Sequence, residues 1–409
     1  MTITTTDLIA LRRDLHRHPE LGLDLPRTQA AVVAALSDLD LEIRTGTSLS
    51  SVTAVLRGTD AGSGDGPRRS VLLRGDMDAL PMEELLDTDH RSTVEGRMHA
   101  CGHDLHTAML VGAAHALHAR RADLPGDVIF MFQPGEEGHD GAAHMIEEGV
   151  LDAAGSRPDA AWALHVFAAR LPAGVVASRS GPLLAAANEL YVTVHGRGGH
   201  GSAPERALDP VPVAAAMVTG LQTLMSRIVS PFDPTVLTVG EFHAGTAPNI
   251  IPGSARFAAT LRCFDDDVLD VLERETVRYC NGIATAHGLT ADVVFQRNYP
   301  VTVNDDDAIA TARRVVADTL SGADDATGSR WLDLPTPVTG AEDFSRILQA
   351  VPGAMLFLGA CVDGADPSTA PDNHSPLAHF DDAVMGDGVA VLTALALATL
   401  SGSPASAAN

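Results

Sequence analysis

The succession of strand-like and helix-like segments limits this chain to an α/β fold more strongly than any other feature. Strands are predicted at 51–57 and 70–74, a helix at 105–121, and further strands at 127–132 and 160–166. Strands that alternate with helices indicate a mixed sheet flanked by helices. The polar and glycine-rich ends of these strands are therefore the first places to look for functional residues.

A different order of elements interrupts this pattern. Between residues 187 and 297 the segments follow each other as βαββαβ, which is the split βαβ order of a ferredoxin-like sandwich. The α/β rhythm resumes afterwards, with an apolar strand at 354–359 and a helix at 382–400. We therefore predict a discontinuous first domain, residues 1–186 and 298–409, and an inserted second domain, residues 187–297.

Charge and composition argue against several classes of partner. The 409 residues contain 28 Lys and Arg against 53 Asp and Glu, a formal net charge of −25. Such a charge repels phosphate backbones and anionic membrane surfaces, so we expect no nucleic-acid or membrane partner. The first residues lack the pattern of a secretion signal, and four scattered cysteines do not suggest a disulfide framework. We expect a cytoplasmic protein.

A cysteine and a histidine stand two positions apart just before a predicted helix, in the motif HACGHD at 99–104. In a turn that contains glycine, the Cys101 thiolate and the His103 imidazole can face one cation, and both bind Zn, Mn, Co or Ni. The alternative is a buried cysteine beside a solvent-facing histidine.

Two adjacent carboxylates, Glu136 and Glu137, follow the predicted strand 127–132. The carboxyl edge of an α/β sheet is where ligands bind. Adjacent carboxylates repel each other, so a buried pair requires a nearby cation or a shared proton. One carboxylate can then serve as a metal ligand and the other as a general base. A solvated acidic turn is the alternative.

Two histidines in other segments extend the candidate metal set. His165 lies in the apolar strand 160–166 and is expected at the same sheet edge, although a histidine there can also be a core residue. His374 lies in a proline-bounded polar loop after the last predicted strand. The resulting set of five candidate ligands, enough for two divalent ions, is Cys101, His103, Glu137, His165 and His374.

Seven motifs occur in one order along nearly the whole chain. They are LRRDLHRHPE at 11–20, GDMDALP at 75–81, HACGHD at 99–104, QPGEEG at 133–138, GRGGHGS at 196–202, APNIIP at 247–252 and GAEDFS at 340–345. Together they resemble the aminoacylase and hippurate hydrolase branch of the dimetal amidohydrolases, which includes the plant auxin-conjugate (IAA-amino acid) hydrolases.

The resemblance implies an enzyme that cuts the amide bond of a small N-acyl amino acid. It assigns two divalent ions, with Mn, Zn, Co and Ni all compatible, to the five candidate ligands and makes Glu136 the catalytic base. Asp78 is expected to orient a ligand without binding metal, and Asp76 is left outside the metal set. The inserted domain is expected to act as a lid and dimerisation module. Within it, His200 is expected to reach across a homodimer to the substrate carbonyl, and Asn249 to bind substrate, unless it is an ordinary surface residue.

Two other functions stay open on the sequence. One is a dipeptidase or carboxypeptidase on the same scaffold, and the other is a binding protein without catalysis, which the presence of Glu136 and all five ligands disfavours. The remaining cysteines are interpreted as small core residues: Cys263, Cys280 and Cys361. The histidines interpreted as ordinary polar residues are His16, His18, His90, His139, His144 and His195.

Overall fold

The computed structural model describes residues 3–60, 68–320 and 330–402. Within these ranges the helices are α1 Thr5–Arg17, α2 Pro26–Leu36, α3 His103–Ala119, α4 Gly141–Glu147, α5 Pro210–Ile228, α6 Asp266–Ala286, α7 Asp306–Leu320, α8 Ser345–Leu348 and α9 Met385–Ser401. The strands are β1 Glu42–Thr45, β2 Val52–Arg57, β3 Ser70–Asp76, β4 Asp127–Gln133, β5 Ala160–Phe167, β6 Val176–Ser178, β7 Gly181–Leu184, β8 Ala186–His195, β9 Gly199–His200, β10 Val236–Ala244, β11 Ile250–Ile251, β12 Ser254–Cys263, β13 Thr290–Tyr299, β14 Thr302–Asn304, β15 Trp331–Asp333 and β16 Gly353–Gly359.

The described residues form two compact units. The first comprises those within Met1–Leu183, Val303–Thr336 and Asp343–Asn409, and the second comprises Leu184–Thr302 and Pro337–Glu342. The chain thus leaves the first unit, builds most of the second, and returns to complete the first.

An eight-stranded mixed sheet forms the centre of the first unit. Its strand order is β1-β2-β4-β3-β5-β16-β6-β15. The neighbours of β3 and the β5–β16 pair are parallel, whereas β1, β2 and β4 pair antiparallel in succession. Strands β3, β4, β5 and β16 are apolar and largely buried, as expected for strands covered on both faces. The predicted mixed sheet flanked by helices is confirmed.

Helix α3 is the central helix of the first unit, and it packs against α1, α9 and strand β3. Nearly all of its residues are buried, which is why it lacks a clear polar face. The helix begins at His103, two residues before the predicted start. Its first turn therefore lies at the carboxyl edge of the neighbouring strands, where it carries functional side chains.

The second unit contains a four-stranded antiparallel sheet with the order β10-β12-β8-β13. Helices α5 and α6 pack on one another and on this sheet. This is the ferredoxin-like strand order that the βαββαβ pattern predicts. A small additional ladder pairs β9 with β11. The use of this unit as a lid or dimerisation module stays a prediction.

Two helical segments, Pro210–Ile228 and Asp382–Ser401, have the length and composition of a membrane span. The second includes α9, whose apolar residues Leu392 and Leu395 are buried in the core of the first unit. The first corresponds to α5, whose residues Met217 and Leu221 pack into the core of the second unit. Each helix therefore contributes buried apolar residues to the core of its own unit.

Several elements were not predicted from the sequence. Strands β1, β6 and β15 have 4, 3 and 3 residues, and periodicity over so few residues is a weak signal. Helix α2, with 11 residues, was also not predicted. The closing helix predicted from residue 382 begins with a short 3₁₀ turn, Asp382–Val384, before α9.

Candidate metal centre

Four of the predicted ligands meet at the carboxyl edge of the sheet. Sγ of Cys101 lies 3.3 Å from Nε2 of His165 and 3.3 Å from Nε2 of His374. The same His374 nitrogen lies 3.2 Å from Oε1 of Glu137. The turn before α3, strand β5, the turn after β4 and the loop after β16 therefore place their side chains in one cluster.

His103 joins the cluster from its buried side. Its ligand atoms fall within 4.8 Å of those of Cys101 and His165 in one group, and of Glu136 and Glu137 in another. Among the described residues, neither ring nitrogen of His103 has a hydrogen bond of good geometry, and the nearest carboxylate oxygens, of Asp76 and Asp78, are 3.4 Å away. A fully buried imidazole in this state fits a metal ligand better than a core residue.

Gly102 makes the close approach of these segments achievable. It has a left-handed backbone with φ of +87°, and a Cβ there would lie 2.3 Å from Cγ2 of Val166. A side chain at this position would push the turn away from β5, which carries His165. The glycine between Cys101 and His103 is therefore required by geometry as well as by backbone conformation.

Asp78 connects the ends of β3 and β4. Its two carboxylate oxygens accept the backbone N–H groups of Glu136 and Glu137, each at 3.0 Å, and one oxygen lies 3.4 Å from Nδ1 of His103. Asp78 thus contacts the residues around the metal set from outside it. Its predicted role as an orienting residue stays a prediction that this geometry supports.

Asp76 and His106 form a buried pair that the sequence did not reveal. Oδ1 of Asp76 lies 2.5 Å from Nδ1 of His106, whose Nε2 accepts the backbone N–H of Val166 at 2.8 Å. Because that Nε2 accepts a proton donor, Nδ1 must carry the ring proton and donate to Asp76. Both nitrogens of His106 are then used, so His106 has no lone pair for a metal. Oδ2 of Asp76 also accepts a hydrogen bond from Nη1 of Arg74 at 2.6 Å.

A second buried polar network lies at the first turn of α3. Arg12 contacts Asp104 at 2.8 Å, and Nδ1 of His16 contacts the same carboxylate at 2.8 Å. His90 lies 2.7 Å from Arg12. His16 and His90, interpreted from the sequence as ordinary polar residues, are both buried in this network. The only sequence signal was the pairing of Arg12 and His16 four residues apart on one helix face, which is common on exposed helices too.

The electrostatics of the cluster favour a cation. The hydrogen bond with Cys101, followed by that with Glu137, raises the pKa of His374 to about 10. Burial lowers the pKa of His103, but the charges of Asp76 and Cys101 and the interactions with Asp78 and Cys101 together raise it well above its usual value. Burial raises the pKa of Glu137, yet His374 and His103 bring it below its usual value. Neighbouring negative groups thus stabilise protons on His103 and His374. A divalent cation that replaced these protons would be stabilised by the same groups.

Burial lowers the pKa of His165 well below its usual range, so this imidazole is neutral. Its Nδ1 lies 2.8 Å from the carbonyl oxygen of Val166, which fixes the ring proton on Nδ1 and leaves Nε2 as a free lone pair towards Cys101. Thiolate, imidazole and carboxylate donors together form a set that suits Zn and neighbouring divalent metals. The residues of the cluster therefore fit a metal centre.

His200 and Asn249 lie together in the second unit. His200 is in β9, opposite Ile250 of β11, and the backbone N–H of Gly201 donates to the carbonyl oxygen of Asn249 at 2.8 Å. Both residues are exposed. Their predicted roles in catalysis and substrate binding stay predictions.

The first unit combines a mixed α/β sheet with thiolate, imidazole and carboxylate groups at its carboxyl edge, which is the arrangement of a metal-dependent hydrolase. The model of peptidase family M20/M25/M40 matches residues 72–398, and the chain belongs to this family.

Individual relatives agree with this assignment. The chain is 35% identical over 356 residues to thermostable carboxypeptidase 2 of Saccharolobus solfataricus, with 86% of this chain and 85% of the relative covered. It is 35% identical over 394 residues to IAA-amino acid hydrolase ILR1-like 2 of Arabidopsis thaliana, covering 95% and 84%. The crystal structure of the YXEP protein of Bacillus subtilis, described as a dinuclear metal binding peptidase from the M20 family, matches with a TM-score of 0.80 and 29% identity, covering 97% and 98%.

These findings confirm the predicted resemblance and the predicted class, a metal-dependent amidohydrolase. They do not test the roles of individual residues.

Proposed function

We propose that this protein hydrolyses the amide bond of N-acyl amino acids, releasing a carboxylic acid and a free amino acid, with Glu136 as general base and acid. The observation that carries the proposal is the different placement of two adjacent carboxylates. Glu137 contacts His374 at 3.2 Å within the ligand cluster, whereas Oε2 of Glu136 lies 4.0 Å from Nε2 of His103. The two divalent ions of the proposal are held by Cys101, His103, Glu137, His165 and His374.

A pair of bound divalent ions supplies Lewis acidity that lowers the pKa of water from 15.7 towards about 7. Glu136 takes a proton from the attacking water while the water oxygen forms a bond to the amide carbon. When the carbon–nitrogen bond breaks, Glu136 delivers that proton to the leaving amine. The side chain of Glu136 is buried, at 8% exposure, which keeps bulk water from competing for the proton.

His200 is proposed to donate a hydrogen bond to the developing oxyanion of the substrate. Its Nδ1 accepts the backbone N–H of Ser202 at 3.2 Å and lies 2.8 Å from the Ser202 hydroxyl. A backbone N–H can only donate, so the proton of a neutral His200 must be on Nε2. The ring is therefore set up to donate from the nitrogen that faces away from its own turn.

A homodimer is proposed, with His200 serving the site of the partner subunit. Supporting this, β10 is an edge strand of its sheet and exposes Val236 and Phe242. Helix α5 exposes the uncharged residues Ala215, Ala216 and Thr219. An unpaired edge strand beside an uncharged helix face suits pairing with a second copy.

The proposal also covers which metals are bound, how the substrate is held and where in the cell the protein acts. Mn, Zn, Co and Ni are all compatible with the donors. Asn249 is proposed to bind the substrate through its amide. The net charge of −25 supports the absence of nucleic-acid and membrane partners. A cytoplasmic location is also proposed, and the free cysteines Cys101, Cys263, Cys280 and Cys361 fit a reducing compartment.

A carboxypeptidase or dipeptidase is the second candidate, favoured by the name of the carboxypeptidase relative. The test is a panel of N-acetyl, N-benzoyl and indole-3-acetyl amino acids beside dipeptides and blocked peptides, run with Mn, Zn, Co and Ni. We expect turnover of acyl amino acids. Turnover restricted to substrates with a free α-amino group would replace the proposal with a dipeptidase, and restriction to blocked peptides with a carboxypeptidase.

A further inference from the structure

The side chain of Asn373 ties together three segments that carry candidate metal ligands. Its Oδ1 accepts the backbone N–H of Ala168 at 2.9 Å. Its Nδ2 donates to the carbonyl oxygens of Val166, at 2.9 Å, and Cys101, at 3.2 Å. One amide therefore links the end of β5, the turn before α3 and the loop after β16.

In each of the three segments, a candidate ligand is either the residue that Asn373 bonds or the neighbour in sequence of a residue in this hydrogen-bond network. The amide bonds the backbone of Cys101 itself, Val166 follows His165, and His374 follows Asn373. The amide nitrogen also lies 3.9 Å from Sγ of Cys101, the distance of a weak N–H···S hydrogen bond.

The backbone of His374 shows why such a linkage matters. This residue has a left-handed φ of +64°. A non-glycine residue in that region is strained and persists where its surroundings hold it. Its N–H donates to the carbonyl oxygen of Ala100 at 2.9 Å. Together with Asn373 on one side, this bond directs the imidazole towards Cys101 and Glu137.

We propose that Asn373 is a positioning residue that preorganises Cys101, His165 and His374 for divalent metal without binding metal itself. The proposal rests on the metal centre proposed above. An amide is required, because the site needs one acceptor and two donors in a single planar group. In Asn373→Asp, one carboxylate oxygen can still accept the N–H of Ala168. The other oxygen replaces the NH₂ group and faces the carbonyl oxygens of Val166 and Cys101, to which it cannot donate.

The chain offers a matched control in Asn304, a buried asparagine that makes comparable bonds in the same unit. Its Nδ2 donates to Oγ of Ser178 at 3.0 Å and to the carbonyl oxygens of Arg179 and Met355, and its Oδ1 accepts the N–H of Met355 at 2.8 Å. None of these partners is adjacent in sequence to a candidate ligand. We therefore expect loss of this amide to lower the stability of the fold and to leave the candidate ligands in place.

The experiment measures Zn²⁺ and Co²⁺ affinity of metal-stripped full-length protein by competition with a chromophoric chelator, together with thermal unfolding. The variants are Asn373→Ala, Asn373→Asp, Asn304→Ala and Cys101→Ala. We expect both Asn373 variants to lose about 10- to 100-fold in affinity, the usual cost of removing a partner that orients ligands. We also expect their bound Co²⁺ to show altered visible absorption, whereas Asn304→Ala unfolds at lower temperature with unchanged affinity and spectrum.

The aspartate variant separates positioning from charge. Added negative charge alone strengthens cation binding, so weaker binding in Asn373→Asp supports the linkage. Wild-type affinity and Co²⁺ spectrum in both Asn373 variants, with Cys101→Ala impaired, overturn the inference and leave the metal centre standing. Equal loss in Asn304→Ala also overturns it. Wild-type affinity in Cys101→Ala overturns the metal centre and this inference with it.

Discussion

Asp78 fixes the backbone of Glu136: one carboxylate oxygen of Asp78 accepts the Glu136 N–H at 3.0 Å, while the other accepts the N–H of Glu137. The residue that is proposed to move protons and the residue that is proposed to bind metal are therefore held by the same side chain. The backbone of the turn that carries both glutamates is thus fixed at two successive positions.

Replacing Asp78 with asparagine tests this relationship. In Asp78→Asn one acceptor becomes an NH₂ group that faces a backbone N–H, so we expect metal affinity or kcat to fall by about 10- to 100-fold. Steady-state kinetics and elemental analysis of the purified variant provide the measurement. Wild-type kcat with full metal content would show that the turn holds its shape without Asp78.

Glu136→Gln is expected to bind metal normally and to lose turnover. A positioned general base contributes about 10²–10⁴-fold, and an amide cannot accept the proton. The matched control is Glu137→Gln, which should lose metal as well as activity because Glu137 contacts His374. Metal content by elemental analysis separates the two variants. A Glu136→Gln protein with near-normal turnover would remove the general-base assignment.

His200 should act in trans. We expect His200→Ala alone to lose about 10²–10³-fold in kcat, the cost of removing an oxyanion donor. Mixed dimers of His200→Ala and Glu136→Gln subunits contain one site with an intact Glu136 and an intact partner His200. After random reassociation, activity should return to about a quarter of the wild-type value, since half the dimers are mixed and each has one complete site. Two inactive parents that stay inactive after mixing would contradict action across the dimer.

The cysteines should differ in their reaction with iodoacetamide. Burial raises the pKa of Cys263 to about 11 and that of Cys280 to about 12, so both thiols should resist alkylation of the native protein at pH 8. Cys101 should be alkylated after metal is stripped and protected once Zn²⁺ is restored. Peptide mass spectrometry measures each site. Equal labelling of Cys101 with and without Zn²⁺ would argue against its role as a ligand.

Sequence reasoning went furthest where the chemistry is local. The spacing of Cys101 and His103 and the adjacent Glu136 and Glu137 were each compatible with metal chemistry, and the order of strands, which placed both pairs at one sheet edge, made the combination informative. The α/β and βαββαβ rhythms likewise follow from short-range periodicity.

The supporting contacts could not be predicted in the same way. Asp76 and His106 are 30 positions apart, and Asn373 reaches Cys101 across 272 positions, so their pairing depends on the packing of distant segments. Likewise, nothing in the composition of α1 distinguishes the buried Arg12 from an exposed arginine until Asp104 of α3 is placed beside it. Burial of a polar side chain is decided by the tertiary fold, and a single sequence carries little information about it.

The most direct test of the account is anomalous X-ray diffraction from crystals of the manganese-loaded protein. We predict two anomalous peaks about 3.5–4 Å apart, bound by the five proposed ligands, with Glu136 close by but outside bonding distance of both ions. A cluster that holds no manganese, or ions that bind Glu136 and leave His374 or Cys101 free, would contradict the account.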